Sequence, residues 1–146
     1  MASMLFNKTP PKWFTPVALL ALAWNGLGMA VYLSQVTMTS EAFSQLPQLE
    51  QRLMEATPNW VTGIFAAAVT LGVLGALGLV IKKGWAVPLL TLSFIAVLIQ
   101  MGHWLFIAGA LASLGPQSVA MPAVVTAVAL FILLLSRKAI ASGWIR

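Results

Sequence analysis

The chain has 146 residues, 60% of them hydrophobic and 8% charged, with a mean hydropathy of +0.95. Soluble domains carry about a quarter charged residues, so this is the composition of an integral membrane protein, with room for four crossings, short loops and no separate soluble domain. The formal charge of +5 sits in short basic clusters beside apolar runs, a pattern of membrane orientation rather than nucleic-acid binding, and the lack of cysteine excludes disulfides, thiolate nucleophiles and Fe–S or zinc-thiolate centres.

Residues 13–40, 56–81 and 84–136 carry no charged side chain. One helix crosses with roughly 20 residues, so the first two stretches cross once each and the third crosses twice. The expected fold is therefore an all-α up-down bundle of four transmembrane helices forming one domain, residues 1–146.

The first helix is placed at 14–34, entered through Pro10, Pro11 and Pro16, with Trp13 and Phe14 at its inner interface. Lys8 and Lys12 ahead of an apolar run could open a signal peptide. The run exceeds the usual h-region of about 7 to 15 residues and no small-x-small cleavage site follows it, so it reads as a retained span. The loop 35–57 holds every acidic residue (Glu41, Glu50, Glu55) and only one base, Arg52, and belongs outside. Within it Leu46, Leu49 and Leu53 recur at helical spacing, predicting a short amphipathic helix over 47–56, lying on the membrane as a packing lid or as a docking surface.

Thr57 as N-cap and Pro58 as the first helical residue start a second helix, 59–81, with Trp60 in the outer aromatic belt. Gly72, Gly75 and Gly78 continue a strip of small residues begun by Gly63, Ala67 and Ala68. Such strips allow close van der Waals approach in lipid, here toward another helix of the chain or toward a second copy. Lys82-Lys83-Gly84-Trp85 closes a hairpin, with Gly84 as the permissive C-terminal position and Trp85 re-entering at the inner interface. The third helix is placed at 85–111, the break at 113–118 with Gly115-Pro116, and the fourth helix at 119–135. Seven of the eight bases (Lys8, Lys12, Lys82, Lys83, Arg137, Lys138, Arg146) then share one side, which makes both termini cytoplasmic.

Polar residues inside spans cost free energy unless partnered, and they mark candidate sites. On the third helix Ser93, Gln100 and His103 share a face with Ala96, Trp104 and Ile107. At about 1.5 Å of rise per residue from Trp85, Gln100 lies some 22 Å and His103 some 27 Å across, toward the outer side. Asn25 and Tyr32 share a face of the first helix with Ala21, Gly28 and Met29, at compatible depths. Asn25, Tyr32, Gln100 and His103 could converge on a small pocket open outward, with Trp24 and Trp104 as aromatic walls. The other reading makes Asn25 and Gln100 interhelical hydrogen bonds worth about 0.6 to 2 kcal/mol, with Tyr32, His103 and Trp104 as interface anchors.

No aspartate occurs and no acidic residue lies in a span, so neither a carboxylate pair nor a buried proton-coupling acid is available. A single histidine supplies no bis-histidine haem or metal site, and no phosphate loop or nucleophile elbow is present. No cofactor and no enzymatic activity are expected.

Trp24-Asn25 with Gly28 and Tyr32, then Pro58-Asn59-Trp60, the strip from Gly72 to Leu79, Lys82-Lys83-Gly84-Trp85-Ala86-Val87-Pro88 and Ser93 together resemble, in that order, a small family of bacterial inner-membrane proteins over roughly the first three helices. The resemblance implies a four-helix protein, uncharacterised or loosely labelled "sugar transporter", in the inner membrane. Its members often carry an aspartate just before the tyrosine, where this chain has Val31. The expected roles are an accessory or structural subunit in a larger membrane complex, or a small oligomeric transporter with a polar path; beyond the bilayer, the expected partner is such a complex or further copies of the chain.

Overall fold

A computed structural model describes residues 9–146; Lys8 lies outside them. The regular structure is all helical: α1 (Phe14–Val36), α2 (Ser40–Ser44), α3 (Gln48–Glu55), α4 (Asn59–Val80), α5 (Ala86–Gly102) continued by a π-helical turn (His103–Ile107), α6 (Ala110–Leu114), a 3-10 turn (Pro116–Val119) and α7 (Ala120–Ala141). Four segments, Phe14–Val36, Asn59–Val80, Ala86–Ile107 and Pro116–Ala141, are long and apolar enough to span a bilayer, which makes this a multi-pass membrane protein.

The glycines of α4 set the packing. A Cβ on Gly75 would stand 2.6 Å from Leu90 of α5, and one on Gly78 would stand 2.9 Å from both Ala86 and the Trp85 ring. On the adjoining side a Cβ on Gly72 would fall 2.1 Å from the Asn25 Oδ1 of α1, and Gly28 of α1 meets Val69. Rising numbers on α1 and α5 thus meet falling numbers on α4, so α4 runs antiparallel to both and its small-residue strip faces helices of the same chain. In lipid this closeness is what binds helices together, since apolar burial from water contributes nothing there.

The chain of contacts runs α1 to α4, α4 to α5 and α5 to α7. Phe14 and Ala18 of α1 join Leu79, Leu90, Leu135 and Ala139 in one buried cluster that draws all four spans together. The C-terminal segment seals this end: the Trp144 ring lies edge-on to Trp13 and Phe14 at 5.7 Å from each, and the Arg146 N–H donates to the Lys82 carbonyl at 3.2 Å. The Gly84 N–H donates back to the Arg146 carbonyl. Lys12, Lys82, Lys83, Lys138 and Arg146 gather around this seal, Lys138 with its ammonium 5.9 Å from the Trp144 ring centre. The opposite end carries α2 and α3 with the three acidic residues.

Four local expectations are corrected. Thr57 does not cap α4; its hydroxyl donates to the Leu53 carbonyl at 2.9 Å, and Pro58 occupies the cap position in extended conformation. Gly84 is not the left-handed residue of the hairpin. Lys82 is, at φ 60°, and the Lys82 N–H to Leu79 and Lys83 N–H to Gly78 bonds complete a Schellman motif. Gly84 serves close approach instead, since a Cβ there would stand 2.7 Å from the Arg146 backbone. The third span ends at Ile107 rather than 111, because Gly109 turns left-handed at φ 87° and breaks the helix. The fourth helix continues past 135 to Ala141, since Arg137 and Lys138 end the apolar run but suit the negative end of a helix dipole, and Gly143 at φ 75° then stops it.

Lys82 in the left-handed region costs roughly 1 kcal/mol that glycine avoids. Lys82→Gly is therefore expected to raise the thermal midpoint of the detergent-solubilised protein, read by the loss of its monodisperse size-exclusion peak on heating.

Candidate functional site

Away from the sealed end α1 and α7 part, and a cavity of about 660 Å³ opens between them over the floor made by α4 and α5. Leu27 and Val31 of α1 form one lip; Met121 and Val125 of α7 form the other. Leu53 and Met54 of α3 lie across its end, and Leu53 is buried there.

Of the six residues expected to form a pocket, five line this cavity: Trp24, Asn25, Gln100, His103 and Trp104. Tyr32 does not. It sits one heptad beyond Asn25 on the same face of α1, but the residue opposite differs. Asn25 lies against Gly72, which leaves room for its amide, whereas Tyr32 meets Phe65 edge-on at 5.3 Å, and the Phe65 ring stands on the cavity wall in its place. Ser93 and Val31 are lining residues that the pocket expectation did not include. Ser93 shared the face of Gln100 in the sequence; for Val31 no signal existed, because an apolar side chain in a span looks the same toward lipid and toward a cavity.

The interhelical bond foreseen for Asn25 is not made. Its Nδ2 donates at 2.8 Å to the Ala21 carbonyl in its own helix. Among the described residues the side-chain bond that does cross between long helices is Ser93 Oγ to the Ala68 carbonyl, 2.7 Å, inside the α4–α5 seam. Removing it with Ser93→Ala is expected to lower stability by about 1 kcal/mol, measured as a fall in thermal midpoint with the oligomeric profile unchanged.

His103 opens the π-helical turn, whose widened ring is closed by the Ala108 N–H on the His103 carbonyl at 2.8 Å. The extra residue per turn swings Ile107 outward to 74% exposure, away from the face it was expected to share with His103, while His103 itself stays 4% exposed. Its ring stands edge-on to Trp60 at 5.6 Å, and its Nδ1 is enclosed with no hydrogen-bond partner. Buried polar atoms are nearly always partnered, which sets this nitrogen apart among the described residues.

No acidic or basic side chain other than His103 lines the cavity, and among the described residues no three metal-ligating side chains stand together. The arrangement can enclose an uncharged, largely apolar molecule and offer it hydrogen bonds from one wall; it offers no acid–base pair. No family model, curated protein or solved structure matches the chain.

Proposed function

We propose that this is a non-enzymatic inner-membrane protein of a bacterium that binds a small molecule in the cavity between α1 and α7. The observation that carries the reading is the 660 Å³ cavity among four spans with His103 and Gln100 on its wall, a size within the roughly 300–1,000 Å³ of small-molecule sites. It favours the transport-like role implied by the family resemblance, with the "sugar transporter" label narrowed by the apolar lining. Val31, where that family often carries aspartate, is one of the lining residues, so the bound molecule needs no cationic group.

A second reading rests on the same opening. An accessory subunit would seat a partner's transmembrane helix between α1 and α7, closing the side of the bundle this chain leaves apart. Native mass spectrometry of the protein extracted gently from its own membrane separates the two: retained small-molecule mass on the chain or its homo-oligomer supports binding, and a distinct protein at fixed stoichiometry supports the accessory role and overturns the first reading.

The orientation follows the positive-inside rule, with the basic end cytoplasmic and α3 lying along the outer surface. The chain has no cysteine of its own, so single-cysteine variants report topology directly. Glu41→Cys should react with an impermeant maleimide in spheroplasts with intact inner membranes and Lys83→Cys only after that membrane is permeabilised; the reverse pattern inverts the topology.

A further inference from the structure

The cavity has an open side, a covered end and a limited set of free polar groups, and these bound what enters it. The sealed end is closed by the cluster around Phe14 and Leu79 and by Trp144, and α3 lies across the other end. What remains is the gap between the lips of α1 and α7, where Leu27 and Met121 are 64% and 66% exposed. Both lips lie within helices long and apolar enough to span a bilayer, an arrangement that would turn this gap toward lipid.

The polar lining is partly committed. The Asn25 amide nitrogen, the Ser93 hydroxyl and the Thr57 hydroxyl each already donate to a backbone carbonyl. Gln35, Thr62 and Gln100 also line the cavity without such a bond, and His103, one turn from Gln100, has its Nδ1 enclosed and unpartnered. On a lining made mostly of apolar side chains these few groups suit a head with one or a few hydroxyls; a free sugar, needing a polar partner for most of its surface, is poorly served. With no Asp, Glu, Lys or Arg on the lining, a charged head would lie unpaired in a low-dielectric site, at a heavy desolvation cost.

We propose, resting on the small-molecule reading above, that the ligand is a neutral single-chain amphiphile that enters sideways from the bilayer between α1 and α7, with its hydroxyl-bearing head hydrogen-bonded at His103 and Gln100 and its chain along the apolar lips. The cavity is thus a lateral lipid-binding cleft.

The test uses the full chain in nanodiscs with a monoacylglycerol carrying a diazirine in its acyl chain, photolysed and mapped by peptide mass spectrometry. The expected result is labelling of Leu27, Val31, Met121 or Val125 that excess unlabelled monoacylglycerol competes away. His103→Phe with Gln100→Leu should cut that labelling about tenfold, the loss of roughly one net hydrogen bond to a buried head. Val125→Trp, which narrows the gap and leaves both polar groups in place, should also suppress it, and size-exclusion profiles identify any variant that fails to fold. Labelling that is not competed, that falls only on outward residues such as Leu20 and Phe131, or that survives both sets of substitutions overturns the proposal. A parallel arm with a water-soluble photoreactive glycoside separates the two levels: cavity labelling by the glycoside alone removes the amphiphile and keeps small-molecule binding, and cavity labelling by neither probe removes both.

Discussion

Gly75→Ile is expected to prevent the bundle from assembling, with the protein lost from the membrane fraction or recovered as aggregate. The first carbon of the new side chain already stands 2.6 Å from two carbons of Leu90 and 3.3 Å from its backbone nitrogen. The Leu90 side chain is buried in the central cluster, and the backbone behind it moves only if α5 moves. Overpacking of this kind costs about 1 to 3 kcal/mol where side chains relax, and more where two backbones must separate. In lipid the loss is compounded, because the α4–α5 seam is held by the contacts that separation would break. Gly63 on the same helix is the control. Nothing lies within 4 Å of a Cβ there, so Gly63→Ala should be tolerated and should gain up to about 1 kcal/mol of helix propensity. Equal recovery of the Gly75 variant and wild type from the membrane would show that α4 and α5 do not pack through this strip.

Trp144→Ala should be the second large loss. The ring closes the basic end by meeting Trp13 and Phe14, and it packs against the cluster that unites the four spans, with Ile145 behind it only 2% exposed. Removing a largely enclosed tryptophan costs about 3 to 5 kcal/mol in a soluble core. The lower figure applies here, since the ring is half-buried and part of the vacated space refills from the interface. The consequence is specific in location: α1 reaches the α5–α7 pair through this end, so its loss should free α1 from α7 while leaving the α4–α5 hairpin intact. Hydrogen exchange should therefore rise first in residues 13–20. Lys138→Ala, which removes only the cation above the ring at 5.9 Å, should cost no more than about 1 kcal/mol. If exchange rose instead across α4 and α5, the seal would not be a separate unit.

Four crossings, the position of the hairpin turn and the polarity of the two ends are all legible in the sequence, and the reason is that the bilayer is a solvent with a fixed thickness. A span must be apolar for about 20 residues, so residues 13–40, 56–81 and 84–136 leave little freedom in where helices begin and end. The strip of Gly72, Gly75 and Gly78 is legible for a similar reason, because close approach in lipid requires residues without bulk. Asn25, Gln100 and His103 stand out as polar groups that a span does not carry without cause.

What the sequence could not decide is which apolar faces meet each other and which meet lipid. In water a buried face differs from an exposed one by hydrophobicity; in a membrane both are apolar, and the pattern that would distinguish them vanishes. So Val31 and Met121 gave no sign of facing a cavity, and Tyr32 could not be separated from Asn25 until Phe65, rather than a glycine, was found opposite it. The π-helical turn that keeps His103 inward while turning Ile107 out, the left-handed Lys82 and the backbone clasp between Gly84 and Arg146 likewise depend on contacts distant in the chain. Composition and spacing determined four helices long and apolar enough to span a bilayer and which ends carry the bases and the acids; only the tertiary packing decided that α1 and α7 stand apart, and with them where the molecule is open.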